Sequence, residues 1–267
     1  ITTKSGAQSD KFEISYSNNF SWQDPAKKIE IGGIEALQYT LDAQTNIREP
    51  MPAGGFWRIS PESLEKAIEW QNLYGGKVKW NDPVVYGRDW FYDGKDKYGY
   101  RLYDGAKAMI KNWTPTMTHN LSVNGKSGKT SYNIGLGYLD QSGMSKTAKK
   151  DDFKRYNASV SVTSEINKYI TVRASSIYSD RNKRYPGIGN TTADPWLYLY
   201  RWSPLMPMGV TENGNPLKEP TYEMAAANTD NLQNKYYNIN LGFTLNLTKN
   251  WDVKFDYTYD RQTTETN

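Results

Sequence analysis

The sequence has no cysteine and a single histidine, His119. The first absence excludes disulfides and cysteine-ligated metals. The second leaves no partner for a histidine metal site or a histidine-based nucleophilic triad. Long apolar runs are missing too. The 267 residues are 37% hydrophobic with a mean hydropathy of −0.81, and no uninterrupted apolar stretch approaches the ~20 residues a spanning helix needs. No basic, apolar, small-residue leader stands at the start, so the expectation is a cleaved leader or a chain that begins within a longer protein. Charge of one sign is also scarce. The formal net charge of +4 is spread without a basic block, which gives nucleic-acid binding little support.

What the chain has in excess is aromatic side chains, 14% of residues, with 21 Tyr and 9 Trp. Soluble cores are filled mainly by Leu, Ile and Val. Tyr and Trp suit places that are apolar at one end and wet at the other, such as membrane interfaces and sugar-binding faces.

Many of these aromatics fall into period-two patterns, the signature of strands with two unlike faces. Over 235–247, Tyr237, Ile239, Leu241, Phe243, Leu245 and Leu247 share one parity, and Tyr236, Asn238, Asn240, Gly242, Thr244 and Asn246 the other. Trp251, Val253, Phe255, Tyr257 and Tyr259 repeat the pattern against Asp252, Lys254, Asp256, Thr258 and Asp260. Similar segments begin at Phe12, Leu121, Tyr132, Tyr156 and Ile170. About seven strands of roughly 9–15 residues result, close to the ~9–11 that a tilted membrane strand requires.

The connections alternate in length. Short turns are expected at 125–128, 165–168 and 247–250, and long connections at 23–115, 140–152 and 181–233. Outer-membrane barrels have short inner turns and long outer loops in this order. Aromatics near the strand ends, such as Tyr132, Tyr138 and Trp251, match interfacial girdles, although aromatics also favour strands in general. Within the first long connection, Ser60 and Pro61 open a helix carried by Leu64, Ala67, Ile68 and Gln71 and ended by Gly75 and Gly76. A second helix is expected over 34–46.

Motifs for chemistry fail. Gly125-Lys126-Ser127-Gly128-Lys129-Thr130 resembles the end of a phosphate-binding loop, but Val123 stands where the first glycine belongs and a strand follows. It fits a hairpin turn better. Asp151 and Asp152 are adjacent and would point to opposite faces of a strand. No catalytic residues, cofactor or metal ligands are expected, and no enzymatic activity.

Several stretches resemble SusC/RagA-type TonB-linked outer-membrane transporters, in order along the chain. Ile1-Thr2-Thr3-Lys4-Ser5-Gly6 is similar to the family's last plug strand, and the segment from Phe12 to Trp22 to its first barrel strand. Trp113-Thr114-Pro115-Thr116 with His119 to Gly125 is similar to the second, and Thr130 through Gly143 to the third strand and following loop. Phe153-Lys154-Arg155-Tyr156-Asn157 and Arg201-Trp202-Ser203-Pro204-Leu205-Met206-Pro207 also fit. The resemblance implies an all-β fold, an antiparallel transmembrane segment of about seven strands from a larger barrel of about 22. Residues 1–9 would close the plug and 10–267 would form barrel wall and outer loops. It further implies active import of an oligosaccharide or peptide across the bacterial outer membrane. A SusD-like lipoprotein lid, TonB and the lipid bilayer would be partners. Trp196, Tyr198, Tyr200 and Trp202 are candidates for stacking on substrate or touching the lid, because spacing of two puts all four on one side of an extended stretch; loop packing is the alternative. A soluble glycan-binding β-protein and a passive porin remain the rival readings.

Overall fold

The computed structural model describes residues 12–26, 29–47, 52–54, 57–187, 197–198 and 202–267. The stretch at 1–6 read as a plug strand lies outside them.

Seven strands form one sheet: β1 (Glu13–Gln23), β6 (Thr114–Ser127), β7 (Thr130–Ser142), β8 (Asp152–Glu165), β9 (Ile170–Pro186), β10 (Thr229–Thr248) and β11 (Trp251–Thr266). Their spatial order is β1-β6-β7-β8-β9-β10-β11 and each pair is antiparallel. This is an open meander, as the alternation predicts. β1 and β11 are its two edges.

One end of the sheet carries only tight turns. Gly128 and Lys129 join β6 to β7, with Gly128 in the left-handed region at φ 58°, which a side chain would strain. At 166–169, Asn167 Oδ1 accepts from the backbone N–H groups of Tyr169 (2.8 Å) and Ile170 (3.0 Å), an Asx turn. Thr248 Oγ1 accepts from Asn250 N (3.3 Å) in the last turn. The three long connections, 24–113, 143–151 and 187–228, leave the opposite end.

The strands run further outward than the pattern suggests. β9 has 17 residues and β10 has 20. Their outer ends, such as Asp180-Arg181-Asn182 paired with Gln233, Asn234 and Lys235, have polar side chains on both faces. Backbone pairing continues there after the contrast between faces has stopped, so period two cannot mark it. The first turn also shifts: Gly125 is inside β6, where the Tyr132 ring of β7 lies over it and a Cβ would collide.

No Leu, Ile, Val, Met or aromatic side chain of the seven strands is buried. The buried hydrophobic residues all belong to the long connections. The first connection holds α1 (Ile34–Ile47), α2 (Pro61–Tyr74), α3 (Gly105–Met109) and a small sheet. That sheet is ordered β2-β3-β5-β4, from Pro52–Gly54, Trp57–Arg58, Lys97–Gly99 and Trp90–Tyr92. α2 starts as its sequence predicts, with a capping box between Ser60 and Ser63 and Pro61 in the first turn. Leu37, Leu41, Ile59, Leu64 and Ala67 pack with Leu205 from the third connection, and Val84, Tyr103 and Ala108 with Met208. Backbone bonds Val84 N→Val210 O (2.8 Å) and Tyr103 N→Pro204 O (2.8 Å) tie the same two segments. The middle connection joins through Lys111 N→Met144 O (2.7 Å) and Thr147 Oγ1→Thr221 O (3.0 Å), the latter at α4 (Pro220–Ala226). All three connections thus share one packed outer module.

Candidate functional site

The sheet's two faces differ in chemistry, and the register extends the difference across strands. One row reads Ile14, Val123, Ile134, Val160, Ser176, Ile239, Tyr259, and the next outward begins Tyr16, Leu121, Leu136, Ala158, Tyr178 and Tyr237. None of these side chains is buried, and several are widely exposed, as with Leu136 and Leu241 at 51% and 50%. At the outer margin of this apolar band, Tyr16, His119 and Tyr138 stack in sequence and Tyr156 follows at a tilt, with centroid separations of 6.1, 6.2 and 5.0 Å. Tyr16 Oη and His119 Nδ1 are 2.7 Å apart. His119 is therefore a member of an aromatic row. Tyr169 and Trp251 stand exposed at the turn end.

The opposite face is polar and mostly small. One row contains Ser15, Ser122, Gly135 and Ser159, and the next Ser17, Asn120, Gly137 and Asn157. These residues line a shallow trough. A Cβ on Gly135 would lie 2.7 Å from Ser159 Oγ, so glycine there keeps the wall low. Towards the turn end, Arg173 donates to Thr244 Oγ1 (2.6 Å) and to Asp256 Oδ1 (3.0 Å).

The outer module is held by a buried carboxylate. Asp89 accepts from Trp70 Nε1 (2.8 Å), Val85 N (2.9 Å) and Arg88 Nε (2.8 Å) and Nη2 (2.8 Å), with Arg101 at 3.6 Å. Burial works to raise its pKa, but these hydrogen bonds outweigh it and hold the carboxyl below the usual range. Glu219 behaves oppositely. It caps α4 through Thr221 N (2.7 Å) and Tyr222 N (3.0 Å), yet burial pushes its pKa up and those bonds only partly offset it.

Above this hub is an aromatic platform that the alternation pattern does not reveal. The turn at Gly87, φ 80°, folds Tyr86 back on Trp90 (5.1 Å, edge-on) and stacks it with Phe91 (5.9 Å, 28°). Tyr86 and Phe91 are 49% and 40% exposed. Their only sequence signal is the run Trp90-Phe91-Tyr92. Trp113, at the start of β6, is also exposed and takes φ 56°, the one non-glycine positive φ among the described residues.

Of the four expected contact residues, Trp196 and Tyr200 lie outside the described residues. Tyr198 and Trp202 touch edge-on at 6.0 Å, and Trp202 N donates to Tyr198 O (3.1 Å), a helical spacing and not an extended one. The Trp202 indole donates to Met206 O (3.2 Å) and packs on the cluster of Val84, Tyr103 and Met208. Trp202 thus packs within the outer module.

No protein-family model matches the chain, and no curated protein matches it. Solved structures do. The structure of the RagAB peptide transporter matches with a TM-score of 0.60 at 19% identity, over 98% of this chain and 30% of that one. The RagAB peptide importer matches in its closed-closed state (TM-score 0.55, 20% identity) and its open-open state (0.58, 19%). The likeness shows a shared fold, that of a segment of a RagA-type transporter. This chain spans about 30% of the length of the structures it matches. Among the described residues no helix is long and apolar enough to cross a membrane, which leaves strands free to do so.

Proposed function

We propose that this chain forms part of the wall and outer surface of a SusC/RagA-type, TonB-linked transporter that imports a bulky nutrient across the bacterial outer membrane. Residues 1–9 would end the plug, and 10–267 would supply wall and outer connections. The observation that carries this reading is the sheet with no buried Leu, Ile, Val, Met or aromatic side chain. In water such a sheet would hide its hydrophobic face, and its edges would invite aggregation. In a bilayer the same face is solvated by lipid, and a polar, low wall faces the lumen. The likeness to a peptide transporter supports import, and the partner in that complex makes a SusD-like lipoprotein lid the expected companion. The cargo is an oligosaccharide or a peptide. The exposed aromatics Tyr86 and Phe91, and Tyr198 with its sequence neighbours Trp196 and Tyr200, would meet it or the lid.

The test uses the full-length protein in its own outer membrane. Uptake of the cognate nutrient should stop when the inner-membrane proton gradient is collapsed, and a surface lipoprotein should co-purify. Uptake that continues without the gradient would indicate a passive porin. Recovery in the soluble fraction without detergent would indicate a glycan-binding protein.

A further inference from the structure

On the outward face of the wall, long cations near the outer end are matched to carboxylates. Arg184 meets both oxygens of Asp152 (2.8 and 2.5 Å), Lys154 meets Asp140 (3.2 Å), and Lys235 meets Glu265 (3.8 Å). One group on the inner face is arranged differently. Arg155 of β8 and Arg181 of β9 are directly opposed in the register, and Lys183, opposite Phe153, follows two residues outward on the same face. Opposed Cα atoms in an antiparallel pair are about 4.5–5.5 Å apart, and like charges placed so are destabilising. Among the described residues, no carboxylate of the neighbouring rows on that face opposes them. The surrounding positions are Leu139, Asn234, Phe153, Leu232, Asn157 and Ser179. The first carboxylates outward, Asp230 opposite Tyr185 and Asp151 just before β8, stand a further row away, and Asp151 accepts from Ser145 N (2.8 Å). Arg155 Nε is buried without a hydrogen-bond partner. Arg181 and Lys183 are exposed, and Lys183 rests its ammonium 5.1 Å over the Tyr185 ring.

Height adds a second observation. Tyr156, next to Arg155, belongs to the aromatic row that closes the apolar band. The three cations therefore sit at and above the outer margin of the lipid zone. Solute arriving from outside meets them before anything deeper in the lumen. Water and salt screen charges less well in a lined cleft, so a cluster there concentrates anions.

We propose that Arg155, Arg181 and Lys183 form a carboxylate-binding subsite near the outer mouth, which favours acidic cargo; this rests on the import reading. Adjacent guanidinium forks suit planar carboxylates, which they can grip with paired hydrogen bonds. The carboxylates would come from peptide C-termini and acidic side chains, or from uronic-acid sugars.

The experiment uses purified full-length protein and the R155Q/R181Q variant. Four probes are compared by equilibrium binding: a Glu-rich decapeptide, its amidated Gln counterpart, an oligogalacturonate and a neutral galacto-oligosaccharide. The expected result is that at least one acidic probe binds wild type and binds the variant about tenfold or more weakly, while its neutral counterpart is unchanged. Which acidic probe responds names the source of the carboxylate. R155K/R181K should restore part of the loss. The melting temperature of R155Q/R181Q should hold or rise, since repulsion has been removed. Equal loss for acidic and neutral probes, a fall in melting temperature, or no binding of either acidic probe to wild type would overturn the subsite. Uptake with and without the proton gradient, measured in cells, judges the import reading separately, because the binding comparison stands whether or not wild type transports.

Discussion

Replacing Leu241 by arginine puts a charge where the outward face should be surrounded by hydrocarbon. On β10 the apolar parity runs from Tyr237 to Leu247, and Lys235 begins the polar zone beyond it. Ten residue steps at about 3.4 Å, tilted by about 40°, make a band about 25 Å tall, the height of the apolar belt of an outer-membrane barrel. Leu241 lies about 10 Å from one margin and about 15 Å from the other on this scale. An arginine there should cost about 2–4 kcal/mol. Asn240, one residue away, is on the polar face and donates to Thr258 Oγ1 (2.7 Å). Asn240→Arg loses that exposed bond and keeps its charge in water, a cost of about 0.5–1.5 kcal/mol. The assay is unfolding of the full-length protein in phospholipid vesicles by denaturant, followed through heat-modifiable migration. Leu241→Arg should move the midpoint down clearly more than Asn240→Arg. Equal shifts, or the reverse order, would refute the assignment of faces and with it the membrane reading.

Three further outcomes are expected. Asp89→Asn strands Arg88 and the buried Arg101, a loss of about 3–5 kcal/mol in the outer module, and added protease should then cut within 24–113 on intact cells while the heat-modifiable barrel persists. For Glu219 the folded pKa is raised, so its stabilising contribution is full below the unfolded value of ~4.3 and is lost as pH rises through the folded value; Glu219→Gln should therefore raise the module's melting temperature at pH 8 and leave it nearly unchanged at pH 4, and a lower value at pH 8 would contradict the sign. Tyr86→Ala with Phe91→Ala should weaken cargo binding about fivefold to thirtyfold if each ring contributes about 0.5–1 kcal/mol of stacking, with surface levels of the protein as the control.

The sequence by itself determined the strands wherever their faces meet different solvents. Tyr237 to Leu247 and Trp251 to Tyr259 are legible because apolar and polar side chains alternate strictly along them. The tight turns and the helix behind Ser60 and Pro61 are legible because their causes are local, a left-handed glycine, an Asx turn and a cap. Where both faces are wet, as at Asp180 to Arg184, the pattern is silent and only strand pairing carries β9 and β10 outward. The candidate site was less legible still. The spacing of Trp196, Tyr198, Tyr200 and Trp202 suggests an extended face, but a helical bond from Trp202 to Tyr198 and packing on Val84 decide otherwise for Trp202. Asp89 and its arginines, the Tyr86 platform, and the opposition of Arg155 to Arg181 were decided by tertiary structure alone. Each depends on which residue of a distant strand or loop arrives opposite another, and register between segments is a property of the whole backbone ladder, not of any local run of side chains.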